Sequence, residues 1–263
     1  MNSAALPPVI DMHLHLDERR FPSAMAAAAQ LQQEMVETGV VRGLVLHLLK
    51  QPWSIPEVAE ALAAHDRLRG LVNVHPCDEN AASTLQQAIE QWGFIGLKLH
   101  PRVQHFSLDE PQVVALVRQA GRLAVPVLID AFPDGDALMA GFDPLAYARL
   151  AKACPETRLI FAHFGGHKCL DFLMLAKRLP NVWLDFSYSL LYYRGASVVK
   201  DLTYCCRSLR YESVFYGSDY PDRSMAESLQ ESIVELNRHA VPAEAQRKLL
   251  FENARQFLQW NDL

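Results

Sequence analysis

VIDMHLHL, residues 9–16, is a continuous apolar run that ends on two histidines two positions apart. Seven further runs share its character: VRGLVLHLL (41–49), LRGLVNVHP (68–76), GFIGLKLHP (93–101), VPVLIDA (125–131), TRLIFAHFGG (157–166), NVWLDFSY (181–188) and VFYGSDYP (214–221). Continuous rather than alternating apolar character marks strands buried on both faces, as in a parallel sheet. Helical stretches with legible ends lie between the runs. Ala24, Ala28, Leu31 and Met35 make one apolar stripe closed by Gly39. Ser54 with Glu57 and Ser224 with Glu227 read as capping boxes, and Asp143 reads as an N-cap before a proline at the first helical position. Strand and helix alternate eight times, which predicts an α/β chain folded as a (β/α)8 TIM barrel, one domain over residues 1–263. The tail PAEAQRKLLFENARQFLQW predicts one or two extra C-terminal helices.

Composition agrees with an ordinary globular chain. Of 263 residues, half are hydrophobic and 21% charged, which excludes disorder and fibre. With 25 Lys and Arg against 30 Asp and Glu the net charge is −5, and no basic cluster offers a surface for nucleic acid or an anionic membrane. The start has no basic stretch leading into an apolar one, and no apolar run approaches the ~20 residues of a membrane helix, so a soluble, cytoplasmic protein is expected. Five cysteines without a CxxC pair predict reduced thiols.

The unusual residues gather at the ends of the predicted strands. His13, His15, His47, His75, His100 and His163 all sit there, and in a barrel those ends converge on one mouth where active sites are built. One such histidine would read as a core residue; six together point to chemistry. His13 and His15 share strand parity, about 6.6 Å apart along the chain, a spacing at which two imidazoles can grip one divalent ion. Asp219, at the end of strand eight, lies beside them once the barrel closes. Parity also turns Lys98 inward, with three outcomes open: an ion pair with Asp130 or Asp219, an anchor for a substrate carboxylate, or a carbamylated lysine bridging two metals. His100 and Arg102 follow it toward the mouth. Asp130 stands in an otherwise apolar strand and needs a cation or donor, whereas Asp185 on strand seven reads as a supporting residue or a cap.

With HxH on strand one, His163 on strand six and Asp219 on strand eight, the sequence resembles the amidohydrolase superfamily, specifically the amidohydrolase-related ("amidohydrolase 2") metal-dependent hydrolases. The matching segments are IDMHLHL (10–16), GLKLHP (96–101), FAHFGG (161–166), YGSDYP (216–221) and ENARQFL (252–258), which span nearly the whole chain. The resemblance implies a distorted barrel holding Zn²⁺ or a similar ion through His13, His15 and Asp219, with His163 as acid/base or electrostatic stabiliser, and a homodimer. Relatives usually carry a metal-binding histidine where this chain has Asp130. A carboxylate there either joins the ion, favouring harder ions such as Mn²⁺, or pairs with Lys98 or orients a ligand histidine.

These readings together predict a metal-dependent hydrolase of an ester, lactone or amide bond in a small, carboxylated molecule. The ion would be held by His13, His15, Asp219 and Asp130. Asp219 would move the proton, His163 would stabilise the oxyanion, and Lys98, His100 and Arg102 would orient the substrate. The alternatives are a nonoxidative decarboxylase, a metal-free lactonase, and a catalytically silent barrel that binds a ligand. Loops 16–23, 50–55, 132–142 and 188–196 would set specificity, with Trp53, Phe132, Tyr188, Tyr192, Tyr193 and Arg194 as walls.

Overall fold

A computed structural model describes residues 7–260; the opening residues 1–6, part of the stretch read as an unexported start, lie outside the described residues. The first half runs β1 (Val9–Leu14), α1 (Ala24–Thr38), β2 (Val40–Leu46), α2 (Ile55–Ala63), β3 (Leu68–Asn73), α3 (Ala81–Glu90), β4 (Gly96–Leu99), α4 (Pro101–Gln104) and α5 (Pro111–Arg122). The second half runs β5 (Val127–Ile129), α6 (Gly135–Met139), α7 (Pro144–Ala153), β6 (Leu159–Phe161), α8 (Cys169–Arg178), β7 (Val182–Asp185), α9 (Ser189–Tyr192), α10 (Ser197–Ser208), β8 (Val214–Phe215) and α11 (Met225–Arg238). The tail adds α12 (Ala243–Arg247), a π turn and α13 (Asn253–Leu258). All eight strands are parallel and pair in chain order. Main-chain bonds from Met12 N to Tyr216 O (3.0 Å), His15 N to Tyr220 O (2.8 Å) and Asp219 N to His13 O (2.9 Å) close β8 onto β1. No helix among the described residues is long and apolar enough to cross a membrane.

The inner core explains the apolar runs. Ile10, Met12, Leu44, Leu46, Leu71, Leu128, Ile160 and Phe215 fill the barrel, and Phe251, Ala254 and Phe257 of the tail pack against them. A second and larger layer lies between the strands and the surrounding helices, so each strand is covered on both faces. The helix ends follow their expected chemistry. Gly39 closes α1 in the left-handed conformation, and Ser54 and Glu57 make both bonds of a capping box. At α11, Ser224 accepts from Glu227 N, and the box is half formed. Cys77, Cys154, Cys169, Cys205 and Cys206 are all free thiols.

The strands are shorter than the runs that announce them. The histidines at 47, 75, 100 and 163 lie beyond their strands, in connecting segments where strand parity no longer holds. Along β1 the register slips: Asp11 pairs with Gly43 but Leu14 pairs with Val45, so three steps on one strand oppose two on the other. This bulge turns His13 to the cavity although its neighbour Met12 already points into the barrel.

After β6 the chain makes a tight turn in which His163, Phe164, Gly165 and Gly166 all have positive φ. Gly165 permits it, because a Cβ there would lie 2.0 Å from Phe172 Cδ2 and φ is +69°. Left-handed backbone on a non-glycine residue costs about 1–2 kcal/mol, and overpacking a buried ring costs typically 1–3 kcal/mol. Gly165→Ala is therefore expected to lose about 3 kcal/mol and, at roughly 2–4 °C per kcal/mol for a chain of this size, to lower Tm by about 10 °C. A melting curve within about 2 °C of wild type would show that the turn tolerates a side chain.

Candidate active site

The strand ends open into a cavity of about 460 Å³ lined by His13, His15, Lys98, His100, Arg102, Asp130, His163 and Asp219, with Phe132, Tyr188 and Tyr192 on one side and Glu18, Arg19, Lys50 and Asp222 at the rim. The eight residues expected to bind the ion, the substrate or a proton thus reach one cavity. Of the six strand-end histidines, however, only four line it. His47 Nδ1 accepts from Asn73 N (3.2 Å), while His75 binds Gln104 O through Nε2 (2.8 Å) and accepts from Cys77 N through Nδ1 (3.2 Å). The His47 ring holds the end of β3, and the His75 ring holds the segments that follow β3 and β4. Among the expected walls, Trp53, Tyr193 and Arg194 stand outside the cavity lining, and Arg194 pairs instead with Glu231 (2.9 Å) and Glu235 (3.2 Å).

The metal-type donors are tethered from behind. His13 Nδ1 lies 3.1 Å from Asp185 Oδ2, and His15 Nδ1 lies 2.8 Å from Leu46 O. Each Nδ1 faces an acceptor and so carries the proton, leaving Nε2 of a neutral ring as a lone pair. Those lone pairs converge on one oxygen, Asp219 Oδ1, at 3.2 Å from His13 and 3.6 Å from His15. Three acceptors meeting without a donor between them repel unless a cation sits among them. Ligand atoms at about 2.0–2.2 Å from a tetrahedral ion lie roughly 3.3 Å apart, close to the separation of each of these two rings from Asp219 Oδ1. Among the described residues, the group whose ligand atoms all lie within 4.8 Å of one another is His13, His163 and Asp219, which leaves His15 farther from His13 than from Asp219.

Asp130 faces two imidazoles instead. Its Oδ2 is 3.2 Å from His163 Nε2 and 3.6 Å from His100 Nε2. His163 Nδ1 points at Ser187 O (3.1 Å), so both of its nitrogens face acceptors. Burial opposes a charge on His163, yet the bond to Asp130 and the charges of Asp219, Asp130 and Asp185 raise its pKa to about 9. His100 behaves oppositely: burial lowers it to about 3, and its Nδ1 is buried without a partner. Lys98 is only 1% exposed, yet among the described residues no carboxylate lies within ion-pair distance of its ammonium. Of its three open outcomes, the ion pair is the one not formed. Its backbone carbonyl is held by Asn73 Nδ2 (2.8 Å). Arg102 is paired with Asp134 (2.9 Å), while its Nε is a buried donor without a partner.

Two residues of the site carry no strong sequence signal. Asp185 is fully buried at the end of β7, and Ser187 Oγ lies between His13 Nδ1 (3.1 Å) and His163 Nδ1 (3.0 Å). The one available hint is a carboxylate inside an otherwise apolar run. Asp11, at the foot of the β1 bulge, accepts from His13 N (3.1 Å) and Ser218 N (3.0 Å), tying β1 to β8; burial pushes its carboxyl up to about 7. His163, Tyr188 and Asp219 all have positive φ.

Comparison with known proteins agrees with the barrel fold. No curated protein matches the chain. Among solved structures, an uncharacterised TIM-barrel protein from Bordetella bronchiseptica superposes with a TM-score of 0.77 at 17% identity, covering 97% of this chain and 99% of its own. A probable 2-pyrone-4,6-dicarboxylic acid hydrolase from Acinetobacter baumannii, with citric acid bound, gives 0.68 at 18% identity over 96% and 99% of the two chains. A 5-carboxyvanillate decarboxylase from Novosphingobium aromaticivorans, with manganese and a nitrobenzoic acid bound, gives 0.66 at 16% identity over 97% of each. At such identities these likenesses show the shared barrel. A family profile described as Amidohydrolase matches residues 10–260, nearly the whole chain, and with that match the protein belongs to the amidohydrolase family of enzymes.

Proposed function

We propose that the enzyme hydrolyses an ester, lactone or amide bond in a small carboxylated molecule at a divalent ion, Zn²⁺ or Mn²⁺, held by His13, His15 and Asp219. The observation that carries this reading is the convergence of two Nδ1-tethered imidazoles on one oxygen of Asp219. When bound, the ion supplies a Lewis acid for the scissile carbonyl and makes water acidic enough to attack near neutral pH. Asp219 takes the proton of the attacking water and returns it to the leaving group, since one carboxylate at the cavity floor reaches both. His163, protonated against Asp130, places its positive charge beside the oxygen where negative charge develops. Lys98, an ammonium without a carboxylate partner, binds the substrate carboxylate, and His100 and Arg102 complete that end of the site. Phe132, edge-on to the stacked rings of Tyr188 and Tyr192, completes an aromatic wall on one side of the cavity.

Nonoxidative decarboxylation at the same site is the second reading. It is favoured by the protonated His163, which could deliver a proton to carbon, and by the decarboxylase among the similar structures. Hydrolysis is preferred because Asp219, where the two imidazoles converge, can take a proton from water and return it to a leaving group. The test is a panel of carboxylated lactones, esters, amides and aromatic acids, assayed on chelated protein and on protein reloaded with Zn²⁺ or Mn²⁺. Hydrolysis in H₂¹⁸O places label in the product; decarboxylation releases CO₂ without label. Metal-independent turnover, or none across the panel, rejects the proposal.

A further inference from the structure

We propose that Asp185 and Ser187, at the end of β7, are positioning residues that fix the proton of His13 on Nδ1 and thereby set how tightly the site holds its ion. The second half of this inference rests on the metal-site reading above. One oxygen of Asp185, Oδ1, receives three donors: His163 N (3.1 Å), Ser187 N (3.0 Å) and the Ser187 hydroxyl. The other oxygen, Oδ2, faces His13 Nδ1 at 3.1 Å. Ser187 has a single hydroxyl hydrogen, committed to Asp185, so its oxygen can only accept from the Nδ1 atoms of His13 and His163. Both rings are thereby required to carry hydrogen on Nδ1 and to present Nε2 to the cavity.

A buried carboxylate serving structure alone would be satisfied by the backbone donors. Asp185 instead joins rings from β1 and from the turn after β6, which meet at centroids 4.8 Å apart. Partners behind a metal ligand fix its orientation and basicity, and their loss typically costs about 10- to 100-fold in metal affinity.

Asp185→Asn tests this with little change of shape. Three donors hold the Oδ1 position, so the amide oxygen must take it and the NH₂ group must face His13 Nδ1. Two donors cannot face each other, so His13 is driven to the Nε2–H tautomer, which cannot ligate. In chelated protein, ¹⁵N-resolved NMR of the imidazoles is expected to show Nδ1–H on His13 of wild type and Nε2–H in the variant. Titration calorimetry with Mn²⁺ is expected to show binding weaker by about 10- to 100-fold in the variant. An Nε2–H tautomer of His13 in wild type overturns the proposal without need of any variant, which covers the case of a variant that does not fold. An unchanged tautomer or unchanged Mn²⁺ affinity in a folded variant overturns it too. A wild type that binds no metal removes the ion from the reading, while the tautomer measurement still decides the positioning role.

Discussion

Asp219→Asn is expected to lower kcat/KM by about 10³-fold or more while the fold survives, combining a lost general base, worth roughly 10²–10⁴, with a damaged ion site. Asparagine matches aspartate in shape and is among the few side chains that accept left-handed backbone readily, and Asp219 sits at φ 58°. The bonds that seat this segment are main-chain ones, from Asp219 N to His13 O (2.9 Å) and from His15 N to Tyr220 O (2.8 Å), and they do not involve the carboxylate. What changes is the donor set. An amide NH₂ turned toward the Nε2 atoms of His13 and His15 would hydrogen-bond the lone pairs that now converge on Asp219, and the water proton would have no base. Melting should stay within a few degrees of wild type. Residual kcat/KM above about a tenth of wild type, in a folded protein, would remove Asp219 from the chemistry.

Which residues share the cavity was legible in the sequence where strand geometry governs. His13 and His15 flank an apolar leucine and share one parity, and Lys98 shares the parity of inward positions in β4; all three line the cavity, Lys98 through strand periodicity and His13 with the help of the β1 bulge. The alternation of buried runs and capped helices was equally plain, because strands covered on both faces leave an unmistakable apolar stretch. Legibility stopped where the strands stop. His47 and His75 look like rim residues only if β2 and β3 extend through them, and hydrogen bonding across the sheet, not the local sequence, decides where each ladder ends. Asp185 and Ser187 were obscure for the same reason. Nothing near residue 185 reveals that the end of β7 will meet His13, 172 positions earlier. The left-handed turn at His163 was signalled only by Gly165 and Gly166, and the β1 bulge by nothing local.

His163→Asn and Asp130→Asn are expected to act as one unit. Removing the imidazole that faces the developing oxyanion should lower kcat by roughly 10²–10³-fold. Removing the charge of Asp130 should lower kcat less, by about 10- to 100-fold, with KM little changed, because Asp130 reaches the reaction only through the proton it keeps on His163. Of the two imidazoles touching Asp130, burial keeps His100 neutral, so a single proton is at stake. The decisive measurement is the double variant. If Asp130 works through His163, the pair loses no more than His163→Asn alone, within about threefold, since residues that act as a unit are not additive. If Asp130 instead holds the ion, its removal weakens Mn²⁺ binding and multiplies the loss from His163. Additive losses in the cycle, together with reduced ion affinity for Asp130→Asn, would return Asp130 to the metal site and leave His163 without its proton partner.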